Sequence, residues 1–443
     1  MRRSGRAWPS VLGAEQSRRR APDRDDDVPD GSGMTQPPVS VVIVSRGRPD
    51  ALRVCLTGCM QLLYDPFEIV VVADPVGVAA AQALSFAKQI KIIGFDDANI
   101  SAARNVGINA AAGEIVAFVD DDAVPEPTWL THLTQAMQQH DVVVAGGYVR
   151  GRNGISYQWK GRTLDALGDA VDMPVTGLEP VVVQPTPTRC AKTEGTNMAV
   201  RRDVLVEVGG FDPAYHYFLD ETDLNMRLAK AGYACAIVPR AQVHHGFAAN
   251  KLRRADRVPT DLFDIGASWA VFQRKFIPQD KRRDHWRTIR MSERRRAVRL
   301  MVSGHIEPRA VTGLISRLDQ GYGQGIARRM GEGHVTQTPN APFKRVAPLS
   351  GSMSYMAAWR SNAAKARAEA LRRVKNGEVV TLIILSPDAL YHQARFHPDG
   401  YWEQRGGLFG KSSRSQSLLK FWRFNDRFSA EKKRLSAIRG GPD

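Results

Sequence analysis

Residues 113–125 read Gly-Glu-Ile-Val-Ala-Phe-Val-Asp-Asp-Asp-Ala-Val-Pro, an apolar run that ends abruptly in three carboxylates, Asp120, Asp121 and Asp122. Like charges this close repel and resist ionisation unless a counter-charge is near. The counter-charge that suits clustered oxygen ligands is a divalent cation. Side chains alternate along an extended chain, so Asp120 and Asp122 share one side and Asp121 faces the other. The spacing predicts an Asp-x-Asp pair at the carboxyl end of a buried strand, where open α/β sheets gather their ligands. The competing reading is a solvated turn of acids ahead of Pro125, and the apolar strand before it weighs against that.

The surrounding chain alternates strand and helix signals. Apolar runs at 39–45, 67–73, 91–95, 115–119 and 141–149 read as buried strands. Helical patterns fall between them, at 49–63, 78–88, 100–112 and 127–139. Pro49 suits a first helical turn and Asn99 a helix cap. This alternation predicts an α/β fold with a parallel, doubly wound sheet. Residues 150–195, rich in Gly, Pro and Asp, read as a long irregular connection of the kind that is often functional. Helices are expected at 201–209, 220–232 and 264–276, with a strand at 233–238 closely followed by Val243-His-His-Gly246. Beyond 281 the reading is a helix to 302, a loop at 331–355, a helix at 357–375 and a strand at 379–385.

A chain of 443 residues has room for two domains with sizeable cores. Residues 1–35, rich in Arg, Asp and Pro, read as a disordered tail, with Met34 as an alternative start. Residues 36–280 form the α/β domain and 281–443 a basic, largely helical accessory region. No run approaches the roughly 18 apolar residues of a membrane span. Cys55, Cys59, Cys190 and Cys235 lack a second pair at zinc-ligand spacing, so buried reduced thiols are expected, which suits a reducing cytosol.

Several motifs then agree. Val39-Ser-Val-Val-Ile-Val-Ser-Arg-Gly-Arg-Pro49, Glu68-Ile-Val-Val-Val-Ala-Asp74, Ala103-Arg-Asn-Val-Gly-Ile-Asn-Ala-Ala-Ala-Gly-Glu114 and Asp120-Asp-Asp-Ala-Val-Pro125 come first. Gly195-Thr-Asn-Met-Ala-Val-Arg201, Gly209-Gly-Phe-Asp212 and Asp220-Glu-Thr-Asp-Leu-Asn-Met-Arg-Leu-Ala-Lys-Ala-Gly-Tyr233 follow. Over about residues 38–275 the chain resembles a family 2 glycosyltransferase of GT-A fold. A lone Asp-x-Asp arises often by chance; seven motifs in order do not. The resemblance does not extend to the C-terminal part.

The resemblance implies a nucleotide-diphosphate sugar donor and a Mg2+ or Mn2+ ion. It implies that Asp122 binds the metal, that Asp120 serves the metal or the donor ribose, and that His245 is the third ligand. Asp74 is expected at the nucleobase. The second acid and Ser that commonly stand beside it in the family are replaced by Pro75 and Val76, which leaves the base identity open. Arg104 is a candidate partner for donor phosphate, against a salt-bridged helix surface. Gly195, Thr196 and Asn197 are expected to approach the donor sugar. In the family's Glu-Asp-x-Asp-Leu pattern the second acid is the general base, and Glu221 stands there, one methylene longer. The competing reading of Asp220, Glu221 and Asp223 is favourable charge in a first helical turn. One candidate base and no separate nucleophile imply a single displacement with inversion.

The charge is unevenly placed. From residue 281 onward Lys and Arg outnumber Asp and Glu by 32 to 13, whereas residues 1–280 carry 30 against 33. A solvated basic face and a contact with an anionic lipid surface both fit this C-terminal excess. A cytoplasmic enzyme acting on a glycan or lipid-linked acceptor, with peripheral contact at the inner face of the membrane, is the resulting expectation; nucleic acid is not an expected partner. Two rivals stay open. A nucleotidyltransferase would use Ser45-Arg-Gly-Arg48 as its phosphate loop but leaves residues 220–233 unexplained. A non-catalytic nucleotide-sugar-binding protein would not need acids at every expected position.

Overall fold

The computed structural model describes residues 36–441 apart from 247, 332, 348, 350, 418 and 419. The tail expected at 1–35, with Met34, lies outside the described residues. The first part of the chain runs β1 (Val39–Ser45), α1 (Pro49–Cys59), β2 (Phe67–Ala73), α2 (Pro75–Gln82), β3 (Lys91–Gly94), α3 (Ile100–Ala110), β4 (Ile115–Phe118), β5 (Ala123–Pro125), α4 (Trp129–Gln139) and β6 (Val144–Arg150). The connection expected to be irregular holds five short strands, β7 (Tyr157–Trp159), β8 (Arg162–Asp165), β9 (Ala170–Asp172), β10 (Val181–Val183) and β11 (Arg189–Lys192). β12 (Met198–Arg201), α5 (Arg202–Glu207), α6 (Asp220–Lys230) and β13 (Cys235–His245) follow.

The main sheet has the order β10-β13-β6-β12-β4-β1-β2-β3, with β5 paired to β13 and β7 to β6. β3, β2, β1 and β4 are parallel neighbours, and so are β6 and β13. The antiparallel β12 lies between the two groups. The mostly parallel α/β fold read from the sequence is therefore present. Strand alternation sends Val39, Val41 and Ile43 to one face, against Leu52, Leu56, Trp129 and Leu133 of α1 and α4. Val42 and Val44 face the other way, against Ala103, Ile108, Leu205 and Leu224 of α3, α5 and α6. Burial on both faces explains why these strands read as unbroken apolar runs. A separate antiparallel sheet, β11-β8-β9, lies off the main one.

α7 (Phe263–Phe276), α8 (Gln279–Val302) and α9 (Pro308–Ala327) come next. α9 was not anticipated, because Gly313, Gly321, Gly323 and Gly325 disguise it. Two of those glycines have a packing reason. A Cβ on Gly321 would stand 1.8 Å from Phe263 O, and one on Gly325 2.3 Å from Ala267 O, so α7 and α9 touch backbone to backbone. The helical C-terminal region also contains a four-stranded sheet built from β14 (Met353–Trp359), β15 (Val379–Ser386), β16 (Gln393–His397) and β17 (Tyr401–Gly407), in the order β14-β15-β17-β16. α10 (Ala363–Lys375) covers one face through Ala370 and Val374, and α11 (Phe424–Arg439) covers the other through Leu435 and Ile438. Phe396 and Trp402 of this unit meet Val124 of β5, so the unit rests against the strand that directly follows the Asp cluster. No helix among the described residues is long and apolar enough to cross a membrane. All four cysteines are buried and unpaired.

Candidate active site

β4 ends at Phe118, and Asp120–Asp122 form the turn that leads into β5, closed by Ala123 N donating to Asp120 O at 3.0 Å; the turn separates the three carboxylates. Asp121 is fully buried beneath the sheet end, where Ser45 Oγ donates to its Oδ2 at 2.6 Å and the Arg48 guanidinium closes on both oxygens. Burial pushes its pKa up to about 7, with Arg48 opposing that and Asp122 adding to it. Asp120 and Asp122 face the other way. Their neighbour is set by sheet register: β13 pairs with β5 so that His245 lies opposite Ala123, and Gly246 N donates to Asp122 O at 2.7 Å. Asp120, Asp122 and His245 consequently offer ligand atoms within 4.8 Å of one another.

Several details suit this trio to a cation. Asp122 is 9% exposed; burial opposes its ionisation, but His245, the Arg48 charge and the Ala248 N–H outweigh burial and hold it well below the usual carboxylate range. Its buried Oδ1 has His245 Nε2 at 3.2 Å and no hydrogen bond of good geometry. His245 Nδ1 lies 3.1 Å from Gln158 Oε1, which accepts only from an Nδ1–H. The ring is thereby held with Nε2 toward Asp122, the placement a metal-ligating histidine needs. Two carboxylates and one imidazole suit a divalent ion such as Mg2+ or Mn2+.

Arg104 ties this cluster to a segment 100 residues away. It is 3% exposed on α3; Nη1 pairs with Asp220, Nη2 lies 3.2 Å from Asp120 Oδ1 and 3.3 Å from Gly195 O. The cation is thus held among the protein's own acceptors, with Phe211 beneath it at 5.1 Å. Burial, joined by the Glu221 charge, raises Asp220 to about 7 against the pull of Arg104. The three acids that open α6 have separate partners. Glu221 pairs with Lys192 Nζ at 2.9 Å. Asp223, fully buried, is clamped by Arg227 and Lys275 and serves the packing of α6 on α7. Partial burial works against Glu221's charge, but Lys192 and then Arg104 outweigh it and hold Glu221 at about 2.

The remaining residues singled out in the sequence fall into place as follows. Asp74 caps α2, accepting from Gly77 N with Oδ1 and from Gly47 N with Oδ2, both at 3.0 Å. It thereby fixes the loop after β1 that carries Arg48. Thr196 Oγ1 lies 3.4 Å from Asp120 N and steadies the Asp cluster. Gly195 is close-packed, since a Cβ there would stand 2.6 Å from an Arg104 guanidinium nitrogen. Asn197 differs from the sequence expectation of a donor contact. Its side chain is fully buried, donating to Tyr148 O and Ala241 O and accepting from Trp129 Nε1 at 2.7 Å. All its strong hydrogen-bonding positions are spent joining β6, β13 and α4, so the amide points into the core.

Sequence reasoning missed three participants. Arg48 stood in the Ser45-Arg-Gly-Arg48 segment but was weighed only as a phosphate-loop echo. Glu126, four residues beyond Asp122, is fully buried and bonds His244 Nε2 at 2.7 Å. Lys192 sits in a segment with no periodic signal and carries no local clue at all.

Residues 40–208 match the family model described as Glycosyl transferase family 2. The O-antigen biosynthesis protein RfbC of Myxococcus xanthus is 25% identical over 255 residues, covering 54% of this chain and 19% of that protein. The glucosyl-dolichyl phosphate glucuronosyltransferase of Haloferax volcanii is 28% identical over 181 residues, 39% of this chain and 56% of that protein. The N-acetylglucosaminyl-diphospho-decaprenol L-rhamnosyltransferase of Mycobacterium tuberculosis is 43% identical over 51 residues, 12% of this chain and 17% of that protein. The chain spans less than two thirds of each of these relatives. A solved structure of GalNAc-T7 with UDP, GalNAc and Mn2+ is 14% identical, with a TM-score of 0.40, covering 55% of this chain and 48% of that one.

Proposed function

We propose that this protein is an inverting glycosyltransferase that moves a sugar from a nucleotide-diphosphate sugar to a hydroxyl of a glycan or lipid-linked acceptor in surface-polysaccharide synthesis. The observation that carries the reading is the convergence of Asp120, Asp122 and His245 with the α6 acids through Arg104. The family-model match over residues 40–208 and the printed names of the relatives, which concern O-antigen synthesis and polyprenyl-linked sugars, support the substrate class.

In this reading Asp122, His245 and Asp120 hold a Mg2+ or Mn2+ ion. When bound, that ion offsets the negative charge that grows on the departing diphosphate. Asp74 and the loop it clamps lie at the nucleoside end, while Gly195 and Thr196 wall the sugar. Glu221 takes the proton of the acceptor hydroxyl as that oxygen attacks the anomeric carbon from the face opposite the leaving group. Lys192 orients the Glu221 carboxylate, and Arg104 keeps Asp120 and Asp220 from repelling one another.

The C-terminal region supplies peripheral contact with an anionic membrane face. Arg283, Arg294, Arg295 and Arg299 stand exposed along α8, and Phe421 is exposed between Lys420 and Arg423. Basic side chains with interleaved aromatics suit a lipid surface.

The test combines thermal shift with UDP, GDP and dTDP, with and without Mn2+, and mass spectrometry of products from a panel of nucleotide sugars. Metal-dependent stabilisation with a glycosylated product is expected. Release of sugar 1-phosphate with a nucleotidylated product would favour the nucleotidyltransferase instead, and stabilisation without turnover a binding protein.

A further inference from the structure

Arg439 is the last residue of α11, yet it is 2% exposed and reaches 313 residues back along the chain. Its Nε donates to Glu126 Oε2 at 2.6 Å and its Nη2 to Glu126 Oε1 at 3.0 Å, a bidentate pair. Its Nη1 donates to Thr381 Oγ1 on β15 at 3.1 Å, and its guanidinium carbon lies 4.2 Å from the centre of the Trp402 ring. Glu126 in turn bonds His244, whose ring lies 4.7 Å from that of Trp402. One residue further on is His245. On the other side of β5, three residues before the Arg439 contact, is Asp122's neighbour Ala123, paired with His245. Glu126 N also donates to Gln242 O at 2.9 Å, so the clamp locks the same two strands that carry the cation ligands. Thr128 Oγ1 donates to Ile438 O at 2.6 Å and adds a second tie from α11.

We propose that Arg439 is a positioning residue of the cation site: the C-terminal α/β unit, through the Arg439–Glu126–His244 chain and Trp402, fixes the spacing between His245 and Asp122. This rests on the reading of Asp120, Asp122 and His245 as cation ligands. The site is thus finished by the last helix of the chain and not by the family 2 segment alone. The physical reason is the cost of an unpaired buried charge. Without Arg439, the fully buried Glu126 loses its bidentate partner and is left with one histidine. The strain is relieved by moving Glu126 toward water, and β5 and β13 move with it. Cation sites need ligand distances held within about 0.2 Å, and loss of outer partners typically weakens metal binding 10- to 100-fold.

The experiment measures Mn2+ affinity of the full chain by the electron paramagnetic resonance signal of free Mn2+, without nucleotide, beside circular dichroism. Arg439→Met is expected to bind Mn2+ roughly 10- to 100-fold more weakly while keeping its secondary structure, and Arg439→Lys to recover part of the loss. Glu126→Gln, which keeps the shape and removes the charge, gives the same weakening and decides the matter where Arg439→Met does not fold. Arg372→Ala, an exposed change on α10, leaves the affinity unchanged. A folded Arg439→Met or Glu126→Gln protein with wild-type Mn2+ affinity overturns the inference alone. Wild-type protein that binds Mn2+ no better than Asp122→Ala overturns the cation site itself, and this inference with it.

Discussion

Lys192 Nζ lies 2.9 Å from Glu221 Oε1, so the candidate base is ion-paired at rest. Lys192 is 8% exposed and also lies 3.7 Å from Glu194 Oε2, which in turn pairs with Arg162. The pairing keeps Glu221 ionised at neutral pH at the expense of its basicity.

Replacing Lys192 by Met removes the largest influence that lowers Glu221 from its ordinary 4.5 to about 2. Glu221's folded pKa is depressed, so its contribution to stability is present above about pH 4.5 and is lost as pH falls toward 2. In Lys192→Met that window narrows, and the acid limb of kcat/KM against pH moves upward, because burial of Glu221 is then opposed mainly by Arg104. Steady-state rates between pH 4 and 9 check this. An acid limb that stays where it is would separate Glu221 from proton transfer.

Asp122→Ala removes a cation ligand, whereas Asp121→Asn touches a carboxylate that faces Ser45 and Arg48. Mn2+ at one hundred times its Kd stabilises a one-site protein by about 2.7 kcal/mol. Wild type and Asp121→Asn should both show such a rise in Tm, reversed by chelator, and Asp122→Ala should show none. A preserved rise in Asp122→Ala would place the ion elsewhere.

Asn197→Ala leaves Trp129 Nε1, Tyr148 O and Ala241 O without their partner in the core. Each unsatisfied buried group costs about 1–3 kcal/mol, so a loss of about 3 kcal/mol or more is expected from urea denaturation. A stable variant with only a raised KM for the donor would instead restore the sugar-contact role first expected of this residue.

In the C-terminal unit, Glu431 is 1% exposed between Arg427 and Arg434, with Ser412 donating to it. Burial opposes its charge, yet Arg434, Ser412 and Arg427 hold it at about 2. Its contribution is therefore full above about pH 4.5 and lost as pH falls to 2. Glu431→Gln should cost about 3–5 kcal/mol at pH 7 by leaving buried guanidinium charge uncompensated. The gap to wild type should narrow steadily below pH 4. Equal stability of the two proteins at pH 7 would show the cluster to be solvated.

The long strands were legible because each is a buried β-branched run longer than any turn could hide, as in Val39–Ser45 and Phe67–Ala73. The short strands between 157 and 192 were not, since three or four residues with mixed exposure carry no period. Met353–Trp359 was read as loop and helix start because it lacks the alternation of a half-buried strand and is covered only by its neighbours. Among site residues, the Asp-x-Asp pair followed from strand alternation, while His245 and Glu221 came only through resemblance. Arg104 was noticed for its charge, but nothing in its helix reveals that Asp120 and Asp220 share it.

The sequence by itself determined the mostly parallel sheet and the placing of Asp120 and Asp122 just beyond the carboxyl end of one of its strands, because both depend on patterns within a few residues. Only the tertiary structure decided which charges neutralise which: Arg48 with Asp121, Lys192 with Glu221, Arg439 with Glu126. Those pairings join residues tens to hundreds of positions apart. The strength of a charge pair depends on burial and on distances of a few ångströms, and no local stretch of chain encodes either.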